Sequence, residues 1–156
     1  MSGPSETIGD TMAYEAVTSD IRVRVQPHYL EDQSDPALPR YVWAYEVEIT
    51  NMGDKTVQLR ERSWIILDAN GKKEHVHGPG VVGEQPILNP GDTFRYSSGC
   101  PLATPSGFMN GVYHMVDEAG DPFDIDVPPF SLDLPDALGG GPSTGSARIT
   151  GKRTLN

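Results

Sequence analysis

Cysteine is almost missing from this chain. Cys100 stands alone, which excludes an internal disulfide framework and makes a reducing, cytoplasmic compartment the expectation. Long apolar runs are missing as well: no stretch approaches the ~20 residues of a membrane span. Residues 1–13 hold neither an apolar run nor a Lys or Arg, so no secretory signal peptide is expected there. Basic residues are scarce, with 12 Lys and Arg against 22 Asp and Glu for a net charge of −10. The acids are concentrated in the body between Tyr14 and Leu134, which repels phosphate backbones and argues against a nucleic-acid binder. The catalytic signatures G-x-S-x-G and H-E-x-x-H are absent, no P-loop lysine follows the glycines, and no amphipathic helix can be read.

What is present is strand alternation. Ile21, Val23 and Val25 alternate with Arg22, Arg24 and Gln26, a strand with one buried face that Pro27 is expected to end. Tyr41, Trp43, Tyr45, Val47 and Ile49 share one face of the strongest strand signal. Thr56 to Leu59 resumes with Val57 and Leu59 inward, Arg60-Glu61-Arg62 interrupts, and Trp64 to Leu67 follows. Lys72–His77, Thr93–Ser98, Phe108–Val116 and Phe123–Val127 complete the alternating segments, with Pro128-Pro129 breaking the pairing before Phe130, Leu132 and Leu134. Ser97 and Ser98 alternate faces on their strand, with hydrogen bonding in the sheet as the expected role. Turn residues recur every ten or so positions. The pattern predicts an all-β fold, a two-sheet immunoglobulin-like sandwich of seven to eight strands with Trp43 and Trp64 near its centre. The missing cysteine pair favours the fibronectin type III kind. Three regions are expected: a disordered head over 1–13, the sandwich over 14–134, and a disordered glycine-rich tail over 135–156 that carries Arg148, Lys152 and Arg153.

Gly78, Gly80 and Gly83 spell G-x-G-x-x-G in H-G-P-G-V-V-G-E-Q-P. In dinucleotide-binding proteins such glycines precede a helix whose N-terminus meets a pyrophosphate. Here Pro86 and Pro90 follow within a few residues and forbid that helix. The main reading is a tight inter-strand loop; a helix-free anion nest is the rival.

Tyr41-Val42-Trp43-Ala44-Tyr45, the G-P-G-V-V-G-E-Q-P run, Tyr96-Ser97-Ser98-Gly99, Met115-Val116-Asp117-Glu118 and Pro122-Phe123-Asp124-Ile125, in this order, closely resemble the bacterial ApaG family. The likeness extends from Tyr14 to Pro135. It implies a fibronectin type III-like sandwich and an association with cobalt and magnesium tolerance or efflux. Related domains in eukaryotic F-box substrate adaptors and a DNA-polymerase-interacting protein look like interaction modules. That association invites a metal pair, His75 and His77, which share a strand face at i and i+2; Glu84, His114 or Asp117 would have to supply a third ligand. The expectation is a non-enzymatic module with no catalytic residue and no cofactor. It would bind an unknown protein or peptide through end loops or a strand edge, with Arg60, Arg62, Lys72 and Lys73 near the glycine loop. Its rivals are a phosphate or nucleotide sensor built on the loop and a divalent-metal binder.

Overall fold

The computed structural model describes residues 13–135 and 154–155. The rest of the head and tail expected to be disordered lies outside the described residues. The strands in chain order are β1 (Tyr14–Thr18), β2 (Ile21–Tyr29), β3 (Tyr41–Asn51), β4 (Val57–Asp68), β5 (Lys73–Pro79), β6 (Ile87–Leu88), β7 (Thr93–Leu102), β8 (Gly107–Asp117), β9 (Pro122–Leu132) and β10 (Thr154–Leu155). Eight of them are five residues or longer. They form a two-sheet sandwich. One sheet runs β1-β2-β3-β7-β10, the other β5-β4-β8-β9 with β6 also on β4, and every pairing is antiparallel except β7 with β10.

The fold adds a strand, β1, and corrects the expected strand ends at Pro27, at Arg60-Glu61-Arg62 within a continuous β4, and at Pro128-Pro129 within a continuous β9. β1 is not legible as a strand in the sequence: its alternation is weak, but Ser19 and Asp20, both at positive φ, turn it back tightly onto β2. Pro27 does not end β2, which continues to Tyr29 against β3. Beyond Val25 the β1 partner has run out, so the missing proline N–H falls on a strand with only one pairing neighbour, where it is tolerated.

The core lies between the sheets, where inward residues of both meet. Trp64 on β4 sits among Tyr45, Tyr113 and Phe130, with ring centroids 5.6, 6.2 and 6.2 Å away in edge-on arrangements, the geometry that aromatic quadrupoles favour. Trp43 and Trp64 are both about 1% exposed. Trp43 Nε1 donates to the Asp133 carbonyl at 2.9 Å, and the Tyr96 and Tyr113 hydroxyls hydrogen-bond to each other between β7 and β8, whereas the buried Trp64 Nε1 has no hydrogen-bond partner among the described residues. Along one side of the sandwich β1 meets β9: Tyr14 stacks 6.1 Å from Phe130, and Thr18 Oγ1 accepts from Asp126 N at 3.2 Å.

A change of face along β4 prepares the site. Val57 and Leu59 point inward, then Trp64 and Ile66 do, so the inward residues pass from odd to even positions. The switch is a bulge between Leu59 and Glu61, an extra residue that flips every later side chain to the other face. It turns Glu61 and Ser63 outward. β9 repeats the device, because Val127 pairs with Gly111 and Phe130 with Met109, which leaves Pro128 and Pro129 opposite the single Asn110. The two prolines therefore form a bulge in a continuous strand.

Candidate functional site

The outward face of β5-β4-β8-β9 carries a row of polar side chains from all four strands. Ser63 (β4) is at its centre. Its Oγ lies 2.9 Å from His77 Nδ1 on β5 and 2.8 Å from His114 Nε2 on β8. The other nitrogen of His114 meets Asp124 Oδ1 on β9 at 2.8 Å, and the other nitrogen of His77 faces Glu61 Oε1 on β4 at 3.4 Å. The two imidazole centroids are 5.8 Å apart. The pleat creates this arrangement: Ser63 pairs directly with His77, while His114 pairs with Glu61 and Asp124 and so reaches Ser63 on the diagonal.

With Asp124 ionised and both imidazoles neutral, His114 carries its proton on Nδ1, toward Asp124, and its Nε2 accepts from the Ser63 hydroxyl. Ser63 Oγ in turn accepts from His77 Nδ1–H. A neutral His77 then has no hydrogen left for Glu61, and that contact is the longest of the four. The result is a hydroxyl, an imidazole and a carboxylate linked in series by two 2.8 Å contacts, the geometry in which an imidazole can act as base toward a hydroxyl. The environment is open: His77, His114 and Asp124 side chains are 61, 32 and 63% exposed. Apolar neighbours share the face, with Ile65 and Phe108 exposed and Leu67 and Val112 half-buried.

The residues singled out from sequence distribute differently. His77 joins the row. His75 lies one step along β5, opposite Ile65, on the same face. Of the suggested third ligands only His114 is near; Asp117 Oδ1 accepts from Ala119 N and Asp121 N in the β8–β9 turn, and Glu84 belongs to the glycine loop. Among the described residues no three His, Cys, Asp or Glu side chains converge as metal ligands. Ser63 is the residue that sequence reasoning misses, since Ser97 and Ser98 stand in a plainer alternation. No local spacing could reveal it, because its partners lie 14 and 51 positions away.

The glycine loop is an insertion in an edge strand. β5 and β6 pair in turn with β4: Glu61 with Pro79, and Val57, four residues earlier, with Leu88, nine residues later. The five surplus residues bulge out as the loop, and no helix follows it. Its polar backbone is largely turned inward. Gly80 N donates to Arg60 O, Val81 and Glu84 exchange a pair of hydrogen bonds at 2.8 Å, and the Arg62 guanidinium donates to the Pro79 and Gly80 carbonyls. Gly80 and Gly83 hold positive φ, while Gly78 leaves space for the Arg62 guanidinium, 3.2 Å from where a Cβ would stand.

Elsewhere an open cleft of about 330 Å³ lies between the ends of the two sheets, bordered by Arg40 and Lys72 and by Asp68 and Glu74. Its charges balance. Cys100 is buried in β7, and burial, with Glu74 as the smaller cause, pushes its thiol up to about 12. It is no nucleophile at neutral pH. Burial also raises Tyr96 and Tyr113 well above the usual phenol range, with the neighbouring phenol a further cause for Tyr96.

Together the fold and this face define a two-sheet β-sandwich with a hydrogen-bonded polar row on an open sheet surface. The chain belongs to the ApaG family: the ApaG domain matches residues 31–117. It is 59% identical over 123 residues to Protein ApaG of Brucella anthropi, covering 79% of this chain and 95% of that protein. It is 52% identical over 143 residues to Protein ApaG of Rhodopseudomonas palustris, covering 92% and 99%. The crystal structure of the ApaA protein from Bordetella pertussis superimposes with a TM-score of 0.73 at 49% identity, over 77% of this chain and 98% of that one.

Proposed function

We propose that the protein is a non-enzymatic interaction module that docks a protein or peptide on the outward face of β5-β4-β8-β9. The observation that carries this reading is the composition of that face. Ile65 and Phe108 are 37 and 49% exposed, with half-buried Leu67 and Val112 alongside, and the hydrogen-bonding row of Ser63, His77, His114 and Asp124 borders them. An apolar centre with a polar rim is the anatomy of a protein interface. The acidic body disfavours nucleic acid, and among the described residues no helix is long and apolar enough to cross a membrane. The module's proposed setting is an accessory role in cobalt and magnesium tolerance in the cytoplasm, the role that the family resemblance implies.

Affinity capture with cross-linking from native extract tests this when wild type is run beside the double variant Ile65→Glu/Phe108→Glu and beside Val17→Glu, an exposed apolar site on β1 in the other sheet. The expected result is a partner retained by wild type and Val17→Glu and lost by the double variant. Equal capture by all three removes the face as the docking surface.

A further inference from the structure

The row at Ser63 goes beyond docking. We propose that Ser63 is a covalent acyl acceptor: its hydroxyl, activated by His114 and Asp124, takes a short acyl group from an activated donor of the thioester or aryl ester class.

Three features of the geometry lead there. The Ser63–His114 and His114–Asp124 contacts, both 2.8 Å, are what general-base activation of a hydroxyl requires, and such constellations are recognised by geometry and roles on unrelated folds. With both imidazoles neutral, the tautomer that holds His114 Nδ1–H on Asp124 directs the Ser63 O–H to His114 Nε2, and His77 Nδ1 then donates to the same oxygen. Finally, the serine is not sealed in: it stands on the outward face with Val112 paired beside it and Ile65 two residues on along its own strand, an apolar floor for an acyl chain.

The step balances. Ser63 Oγ forms a C–O bond to the donor carbonyl as its proton passes to His114 Nε2, and the electron pair of the carbonyl moves onto oxygen. His77 Nδ1, 2.9 Å from Ser63 Oγ, flanks the attacking oxygen. The tetrahedral centre collapses by breaking the bond to the leaving group, which takes the proton back from His114. Ser63 is left as an ester. The product persists because the ladder N–H groups of β4 are committed to β5 and β8 and supply no backbone oxyanion hole for attack on an unactivated serine ester. One equivalent is transferred without steady turnover, so the site is compatible with a non-enzymatic module and does not depend on the docking reading.

The test is intact and peptide mass spectrometry of the full chain after exposure to p-nitrophenyl acetate, with nitrophenolate release followed in parallel. The expected result is a burst of one equivalent, one acetyl group on Ser63, none there in Ser63→Ala, and a burst rate lowered about 100-fold in His114→Gln, with Asp124→Asn also slowed. Acetyl found only on lysines in the wild type overturns the proposal, and so does a His114→Gln burst as fast as wild type. The localisation in wild type needs no variant to fold. Circular dichroism of each variant shows whether a slowed burst reflects the base or a lost fold, and a slowed variant that has unfolded is replaced in the comparison by His114→Asn.

Discussion

Gly111 shows how one atom can hold the core. It faces Trp64 across the β4–β8 pair, and a Cβ there would stand 2.6 Å from Trp64 Cε3 and 2.7 Å from the Ser63 carbonyl, inside contact distance of a ring and a backbone that are both fixed. Gly111→Ala is expected to destabilise by about 1–3 kcal/mol, the usual cost of overpacking, with the denaturation midpoint as the readout; an unchanged midpoint would mean that Trp64 can move. Cys100 tests burial instead of shape. Its thiol is held protonated to about 12 against an ordinary 9.0, so the folded state binds this proton more tightly than the unfolded chain. Its contribution to stability is therefore whole below pH 9.0 and lost as pH rises from there toward 12. Native protein is expected to resist iodoacetamide that labels the denatured chain readily, and Cys100→Ala should flatten part of the alkaline fall in stability; the remainder comes from Tyr96 and Tyr113, whose shifts have the same sign.

At the scale of elements, bulges decide which side chains reach solvent. Without the extra residue near Arg60, Ser63 would point into the core and Trp64 out of it. The glycine loop is the other irregular element, and its glycines have separable reasons. At Gly83 the backbone is left-handed with open space around it; at Gly80 it is left-handed too, and the Glu84 carbonyl oxygen lies where a Cβ would have to go. Gly83→Ala is expected to cost about 1–2 kcal/mol from the φ alone, and Gly80→Ala about 1–3 kcal/mol more from the clash, compared by urea denaturation. Titrating pyrophosphate or ATP while following loop amides by NMR should leave Gly80 unmoved, since its N–H is held by Arg60 O. A saturable shift at Gly78, Gly80 and Gly83 together would instead restore the anion-nest reading.

For the whole molecule, β10 matters at an edge. Thr154 and Leu155 lie parallel to Ser98 and Gly99 on β7, the strand that would otherwise end its sheet, and an unpaired edge is a template for further pairing. Removing residues 136–156 is expected to speed amide exchange in β7 around Ser98 and Gly99, while β3, paired on both sides, keeps its protection. Uniform exchange across both strands in the shortened and full chains would show that the pairing contributes nothing.

The alternation of Tyr41 to Ile49, the two tryptophans and the punctuation by Gly and Pro determined the all-β class and most of the core, because a half-buried strand writes its period of two directly into the chain. The prolines after Gly83 likewise excluded a helix there from local chemistry alone. Strand β1, the passage of β2 through Pro27 and the odd-to-even switches at the two bulges were decided by which neighbour each strand acquires. The Ser63 row belongs wholly to that second kind. Its four strands contribute one or two polar residues each, none unusual in its own segment, and only the register of the sheet places an acid, two imidazoles and a hydroxyl within hydrogen-bonding distance.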